Sequence, residues 1–341
     1  MPRSHVFIID GTLSRLNDGE ETNVGLLYKL LREVPEIEVG YDRGVQGRGL
    51  KKWGNVLTGF GINRSIRLGY RALAQGYQPG DRIYLFGFSR GAYAVRSIAG
   101  MIAKVGLLMP AHISDTNVDK AFRLYENVGG GERAAQFRQR LSHRNLEIEM
   151  IGVWDTVKSL GPPFPVLSYI SPMATEFHDH KLSSIIKNAF QALAADENRR
   201  AYAPILWKCR PNWRGRLEQA WFAGAHSDVG GHVYAQPAAR ALANISLHWM
   251  LERAAMCGLP LPNGWQARFP ADPLAPMQGP YAGSSKFFLF RNPRRFGRPQ
   301  TDYLHASLIE RMENLPRYSP RLVGYPASPQ TRPSLHEIPS G

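Results

Sequence analysis

The sequence predicts an α/β fold, a mostly parallel central sheet with helices on both faces, and three observations carry that expectation. Four short segments, 5–9, 82–88, 146–154 and 217–222, are apolar along most of their length, as strands buried on both faces require. Segments with helical spacing of apolar residues alternate with them. Each strand leads into a loop that carries a reactive side chain: Asp10, Ser89, Asp155 or His226. In a parallel sheet such loops gather on one rim, at the carboxyl ends of the strands.

The first strand ends at Asp10-Gly11-Thr12. Residues 22–31 (TNVGLLYKLL) then place apolar side chains at helical spacing, with Thr22 and Asn23 as caps. Residues 40–61 are glycine-rich and basic, which predicts a loop and a first candidate lid. A helix over 62–75 is closed by the turn Pro79-Gly80-Asp81, and the second strand passes at once into a helix of small residues over 90–105. The third strand ends at Asp155. His178 and His180 then sit among charges ahead of an expected helix. The fourth strand enters the loop Gly224-Ala225-His226-Ser227-Asp228-Val229-Gly230-Gly231, and 238–257 reads as a strong helix. Residues 260–300, rich in Pro, Gly and Arg, form a second lid or insertion candidate with one strand-like piece at 286–290. His305 opens a last helix. Together these predict one domain over 1–315 and a Pro- and Ser-containing tail over 316–341.

Composition narrows the function classes. No apolar run reaches the roughly 18 residues of a spanning helix, and the N-terminal apolar stretch is too short for a signal-peptide core. The expectation is a protein that is cytoplasmic as synthesised. Cys209 and Cys257 form no disulfide framework and lack metal-ligand spacing, so both are read as packing residues. The net charge of +14, from 42 Lys+Arg against 28 Asp+Glu, draws the chain toward anionic surfaces. Its arginines are scattered, without a nucleic-acid signature, so no specific nucleic acid is expected.

Gly87-Phe88-Ser89-Arg90-Gly91 fits the G-x-S-x-G nucleophile turn in the required context, strand before and helix after. The sharp turn exposes the Ser89 hydroxyl, needs small residues at Gly87 and Gly91, and puts the Arg90 amide at a helix N-terminus, where it can donate to an oxyanion. A serine hydroxyl needs a base, and the base needs an orienting carboxylate. His226 and His305 are the two candidate bases. Asp155 fits the chain order Ser…Asp…His of the hydrolase fold, with Asp228 as the rival carboxylate. Gly11 or Thr12, after the first strand, supplies a second oxyanion amide. The DGT triplet also occurs in haloacid-dehalogenase phosphatases, but these need an Asp two residues before it, where this chain has Ile8. His226, Asp228 and His232 match no established metal pattern, and neither metal nor cofactor is expected.

FIIDGT, GYDRGVQGRG, GDRIYLFGFSRGAYAVRSIAG, IGVWDTVKSLG, ALAADENRRAYAPILW, WFAGAHSDVGG and LHASLIER occur in that order from Phe7 to about Arg311. In them the chain resembles a large bacterial and fungal family of α/β-hydrolase-like proteins that includes the first group of type VI secretion phospholipase effectors. The resemblance implies an α/β-hydrolase-like fold and a Ser–Asp–His triad falling on Ser89, Asp155 and His226, with His305 of LHASLIER as a second recurrent histidine. It also implies a phospholipid or other acyl-ester substrate, peripheral contact with anionic membrane, export by a dedicated secretion system, and a secretion-system or immunity partner. Where family members commonly begin FDGTxN, this chain reads IDGTLS. The competing expectation is a catalytically silent hydrolase-fold protein that acts as a binding or accessory factor.

Overall fold

In the computed structural model, residues 2–12, 14–44, 60–127, 129, 131–157, 182–209, 212–297 and 301–326 are described. Seven strands form one sheet: β1 (Ser4–Ile9), β2 (Ile37–Asp42), β3 (Arg82–Phe88), β4 (Ile148–Trp154), β5 (Ile186–Ala194), β6 (Arg216–Phe222) and β7 (Asp302–Leu304). Their spatial order is β2-β1-β3-β4-β5-β6-β7, and every pairing is parallel. The helices are α1 (Asn23–Leu31), α2 (Phe60–Gly76), α3 (Arg90–Val105), α4 (Asp115–Glu126), α5 (Gly131–Leu141), α6 (His226–Gly230), α7 (Arg240–Met256) and α8 (Ala306–Asn314).

Alternate residues of each central strand feed two apolar cores. Phe7, Ile9, Ile83, Leu85, Ile151 and Val153 pack with α2, α3, α4 and α5 on one face. Val6, Ile8, Tyr84, Phe86, Met150 and Trp154 pack with α1, α7 and α8 on the other. Both faces are therefore covered, which is why the strands read as unbroken apolar runs. This is the α/β-hydrolase-like fold class the sequence predicts.

Three strands were not predicted. β2 takes in residues 40–42 of the segment expected to be a loop and α2 takes in 60 and 61, while 45–59 of that lid candidate lie outside the described residues. β5 replaces the helix expected after His180. Ile186, Ala189, Phe190 and Leu193 have helical spacing, yet in the middle of the sheet every residue from 189 to 194 is buried. With both faces covered there is no alternation to read, and sheet context overrides local propensity. β7 is three residues long at the sheet edge. The strand-like piece at 286–290 is corrected as well: Gly283–Phe287 is a 3-10 turn, after which the chain runs beside residues 198–200, with Arg199 bridging Arg291. Cys257 packs against the second core, as expected, but Cys209 is exposed.

The order of the sheet reverses at β1, with β2 on one side and β3 on the other. A crevice opens at such a switch point, at the carboxyl ends of the strands. Asp10 and Ser89 leave β1 and β3 on either side of it, and Asp155 follows β4. Thr22 caps α1 by accepting from the Gly25 amide, as its position predicted. Asn23 instead ties α1 to the 226–231 segment and to α7, donating to the carbonyls of Val229 and Ala243 and to Ser246.

Candidate active site

Ser89 is the N-cap of α3, but its backbone has φ 59° and ψ −119°, and its hydroxyl caps nothing. A serine in an ordinary cap has extended angles and turns its oxygen back onto the helix. Here the turn aims Oγ at the crevice. Only close backbone approach permits that turn. A Cβ on Gly87 would lie 2.6 Å from the Gly91 carbonyl oxygen, and one on Gly91 would lie 2.1 Å from the carbonyl oxygen of Ile9. The positive φ is strain of the kind that surrounding structure must hold in place. The Ser89 amide donating to the Trp154 carbonyl (3.0 Å) is part of that hold.

Ser89 Oγ lies 2.8 Å from His226 Nε2, and His226 Nδ1 lies 2.6 Å from Asp155 Oδ2. All three side chains are buried. Asp155 also accepts from the Ala194 amide (3.1 Å) and from both terminal nitrogens of Arg294, at 2.5 and 2.8 Å. Burial would raise the Asp155 carboxyl, but the Arg294 charge and hydrogen bonds, joined by those of His226, outweigh it and hold the group far below the ordinary 3.8. Asp155 is therefore ionised, and the His226 proton sits on Nδ1, leaving Nε2 to accept from the serine hydroxyl. Burial pulls the imidazole below its ordinary 6.5, with Asp155 offsetting part of that pull.

His226 is fixed from several sides. Its ring lies 4.7 Å from that of Phe88 and 4.8 Å, edge to face, from that of Tyr202. Its amide donates to Glu197, and Glu197 is locked by Arg199 through bonds of 2.8 and 2.6 Å. The Phe88 ring is itself tightly held: a Cβ on Gly230 would meet it at 2.0 Å. Gly230→Ala is thus expected to cost about 1–3 kcal/mol in urea unfolding, the usual penalty for overpacking a filled core.

The remaining predicted residues make other contacts. Asp228 does not touch the imidazole. It accepts from the amides of Ala225 (2.8 Å), Gln278 (2.6 Å) and Gly279 (3.0 Å), bracing the loop that carries His226. His305 caps α8, bonding Ser307 and stacking on Phe222 with ring centroids 4.5 Å apart. His232 leans on Tyr234. Among the described residues no cluster of His, Cys, Asp or Glu has a metal-binding arrangement.

Asp10 is fully buried and accepts from Gly11 N (2.6 Å), Ser14 (2.7 Å), Thr22 (2.8 Å) and Tyr41 (2.6 Å). Burial pushes its carboxyl up to about 6 against the pull of those donors. The Gly11 amide is turned to this carboxylate. Of the two oxyanion donors expected on this loop, the Gly11 amide is thus engaged by Asp10.

Sequence reasoning missed Arg294, Glu197, Arg199 and Tyr202. The last three lie in the quoted motif ALAADENRRAYAPILW, so their grouping was visible but not their roles. Arg294 sits in an arginine-rich loop, where nothing marks one arginine as different from its neighbours.

Residues 3–253 match the family described as "T6SS, Phospholipase effector Tle1-like, catalytic domain". An uncharacterised protein of Saccharomyces cerevisiae is 30% identical over 184 residues, covering 46% of this chain and 27% of the yeast protein. The Tle1 effector solved bound to the VgrG spike of a type VI secretion system is 18% identical, with a TM-score of 0.40, over 67% of this chain and 51% of that one. Apo Thermogutta terrifontis esterase 2 is 11% identical, with a TM-score of 0.43, over 77% of this chain and 86% of that one. The chain thus matches about a quarter of the yeast protein and about half of the effector. With the family match spanning most of its length, the chain belongs to the Tle1-like phospholipase effector family of type VI secretion, by way of that family's catalytic domain.

Proposed function

We propose that the chain is a serine hydrolase of the lipase/esterase type that cleaves acyl esters of phospholipids. The observation that carries this reading is the continuous path from Ser89 through His226 to Asp155, at 2.8 and 2.6 Å, on a strained turn at the switch point of the sheet. Ser89 Oγ attacks the ester carbonyl while His226 Nε2 takes its proton. The negative charge on the tetrahedral oxygen is met by the Arg90 amide, at the positive end of α3, and by the Thr12 amide. His226 then protonates the leaving alkoxide, and water repeats the sequence on the acyl-enzyme. Asp155 holds the imidazole in the required tautomer and stabilises its charged form.

Family membership supports the phospholipid substrate, a secretion-system partner and export by that dedicated machinery. Release of fatty acid from defined phospholipid vesicles by the wild type but not by Ser89→Ala tests the enzymatic part. A folded wild type that releases none, while the same preparation cleaves short soluble esters, removes phospholipid as the substrate.

The base must be neutral to act, so activity falls as pH drops through the His226 pKa. Because burial lowers that value, the acid limb of kcat/KM should lie below the ordinary histidine value of 6.5. A pH–rate profile on a soluble ester checks it.

Arg294 acts on the reaction through Asp155. Arg294→Ala leaves a buried carboxylate without its cation and should cost about 3–5 kcal/mol in urea unfolding. With the positive charge gone, Asp155 favours imidazolium more strongly, and the acid limb should move to higher pH. Arg294→Lys, which keeps the charge but loses the two-pronged contact, should restore the position of the limb better than it restores kcat.

A further inference from the structure

Residues 278–294 run as a strap against the residues that surround His226 and Asp155, and its two sides differ sharply. The inner side is built into the site. Gln278 and Gly279 donate to Asp228, Ser285 accepts from Arg199 (2.7 Å), the Phe288 ring lies 5.6 Å from that of Tyr202, and Arg294 pairs with Asp155. The outer side carries Tyr281, Leu289 and Phe290, all exposed, with Leu289 at 77% and Phe290 at 52%. These two are held outward by an ordered backbone: the Phe290 carbonyl accepts from Arg200 N (3.0 Å), and Asn292 N donates to the Asn198 carbonyl (2.7 Å). Neighbouring large apolar side chains fixed in water contribute nothing to the fold, and such patches mark binding surfaces.

The charges that the strap itself carries are of one sign. From Asp272 to Asp302 the chain has no acidic residue between those two positions, while Lys286, Arg291, Arg294 and Arg295 all fall there. Arg291 and Arg321 lie over the Tyr281 ring at 3.8 and 5.2 Å, and Arg200, Lys286, Arg295 and Arg321 are exposed. An apolar tip set in a basic field is complementary to a bilayer with anionic headgroups, where the apolar groups enter the acyl boundary and the cations meet phosphate. A second copy of this chain would bring the same basic field, on a protein of net charge +14, and be repelled.

We propose that the outer face of this strap, through Tyr281, Leu289 and Phe290 with the surrounding arginines, docks the protein on an anionic phospholipid surface and sets the mouth of the Ser89 crevice against it. This deepens the proposed function and rests on it for the purpose of docking, though not for the contact itself.

The test uses the full chain carrying Ser89→Ala, so that binding is read without turnover. Co-sedimentation is measured with vesicles of pure phosphatidylcholine and with vesicles of equimolar phosphatidylcholine and phosphatidylglycerol. Binding should favour the anionic vesicles and weaken as salt is raised. Adding Leu289→Asp and Phe290→Asp should reduce it by about tenfold or more. With Ser89 intact, the same double substitution should leave turnover of a soluble short-chain ester unchanged and lower vesicle hydrolysis. Undiminished vesicle binding by the double variant would overturn the proposal. So would absence of binding in the parent, or a dimer in light scattering that the substitutions dissolve without affecting vesicles. Binding that depends on Leu289 and Phe290 in a protein that cleaves neither substrate would uphold the docking surface while removing the hydrolase reading.

Discussion

Ser89→Ala is expected to lower kcat for ester hydrolysis by about four to six orders of magnitude, with KM little changed. In the proposed mechanism the hydroxyl is the atom that forms the covalent bond, and no neighbouring group on the turn replaces it. Gly87, Phe88, Arg90 and Gly91 carry no nucleophile. The substitution leaves the positive φ at position 89 in place, since alanine meets the same backbone restriction as serine. Removing Oγ takes away one hydrogen bond to a buried imidazole, so stability should change by no more than about 1–2 kcal/mol. Loss of activity in a variant that unfolds at nearly the wild-type urea concentration would therefore be a chemical effect. Residual hydrolysis above the buffer rate would come from the oxyanion donors, which remain.

Asp155→Asn is expected to cost about four orders of magnitude in kcat, the effect seen where the carboxylate of such a triad becomes an amide. The asparagine keeps the size of the group but offers an N–H as readily as an oxygen. His226 then loses the acceptor that fixes its proton on Nδ1, and Nε2 is no longer held bare toward Ser89. A second consequence separates this site from a solvent-exposed triad. Arg294 loses its carboxylate while still buried, so the variant should also lose about 3–5 kcal/mol of stability at neutral pH. The pH dependence should change with it. In the wild type the depressed Asp155 pKa contributes stability that is present above the unfolded value near 3.8 and is lost as pH falls through the folded value. The asparagine variant should lack that part of the acid-side decline in urea midpoints. Slow labelling by a fluorophosphonate, with circular dichroism unchanged, would show that the defect is in activation of the serine.

What the sequence made legible follows from where information is local. Ser89, Asp155 and His226 each follow an apolar strand in their own segment, so each could be seen without knowing its partners. The strands themselves stood out where burial on both faces made them uniformly apolar. β5 was lost for the same physical reason that makes it central: 189–194 is buried throughout, and its alanines and glutamine fit a helix as well as a strand. β7, with three residues at an edge, has too little pattern to read. The choice between His226 and His305, and between Asp155 and Asp228, depended on distances between segments. His226 meets Ser89 across 137 residues and Asp155 across 71. Arg294 is the extreme case, pairing with Asp155 across 139 residues from a loop full of arginines. The Gly11 amide is the opposite lesson: its partner is the adjacent Asp10 carboxylate, a local bond that the hydrolase pattern does not foresee.

The proposed mechanism requires that the Ser89 hydroxyl be made nucleophilic by the imidazole beside it. A fluorophosphonate reacts with a serine only when it is so activated, and mass spectrometry of the digested protein locates the adduct. The wild type should carry it on the peptide containing Ser89, His226→Ala should acquire it slower by orders of magnitude, and Ser89→Ala should remain unmodified. A folded wild type that takes no label, or equal labelling of wild type and Ser89→Ala, would contradict it.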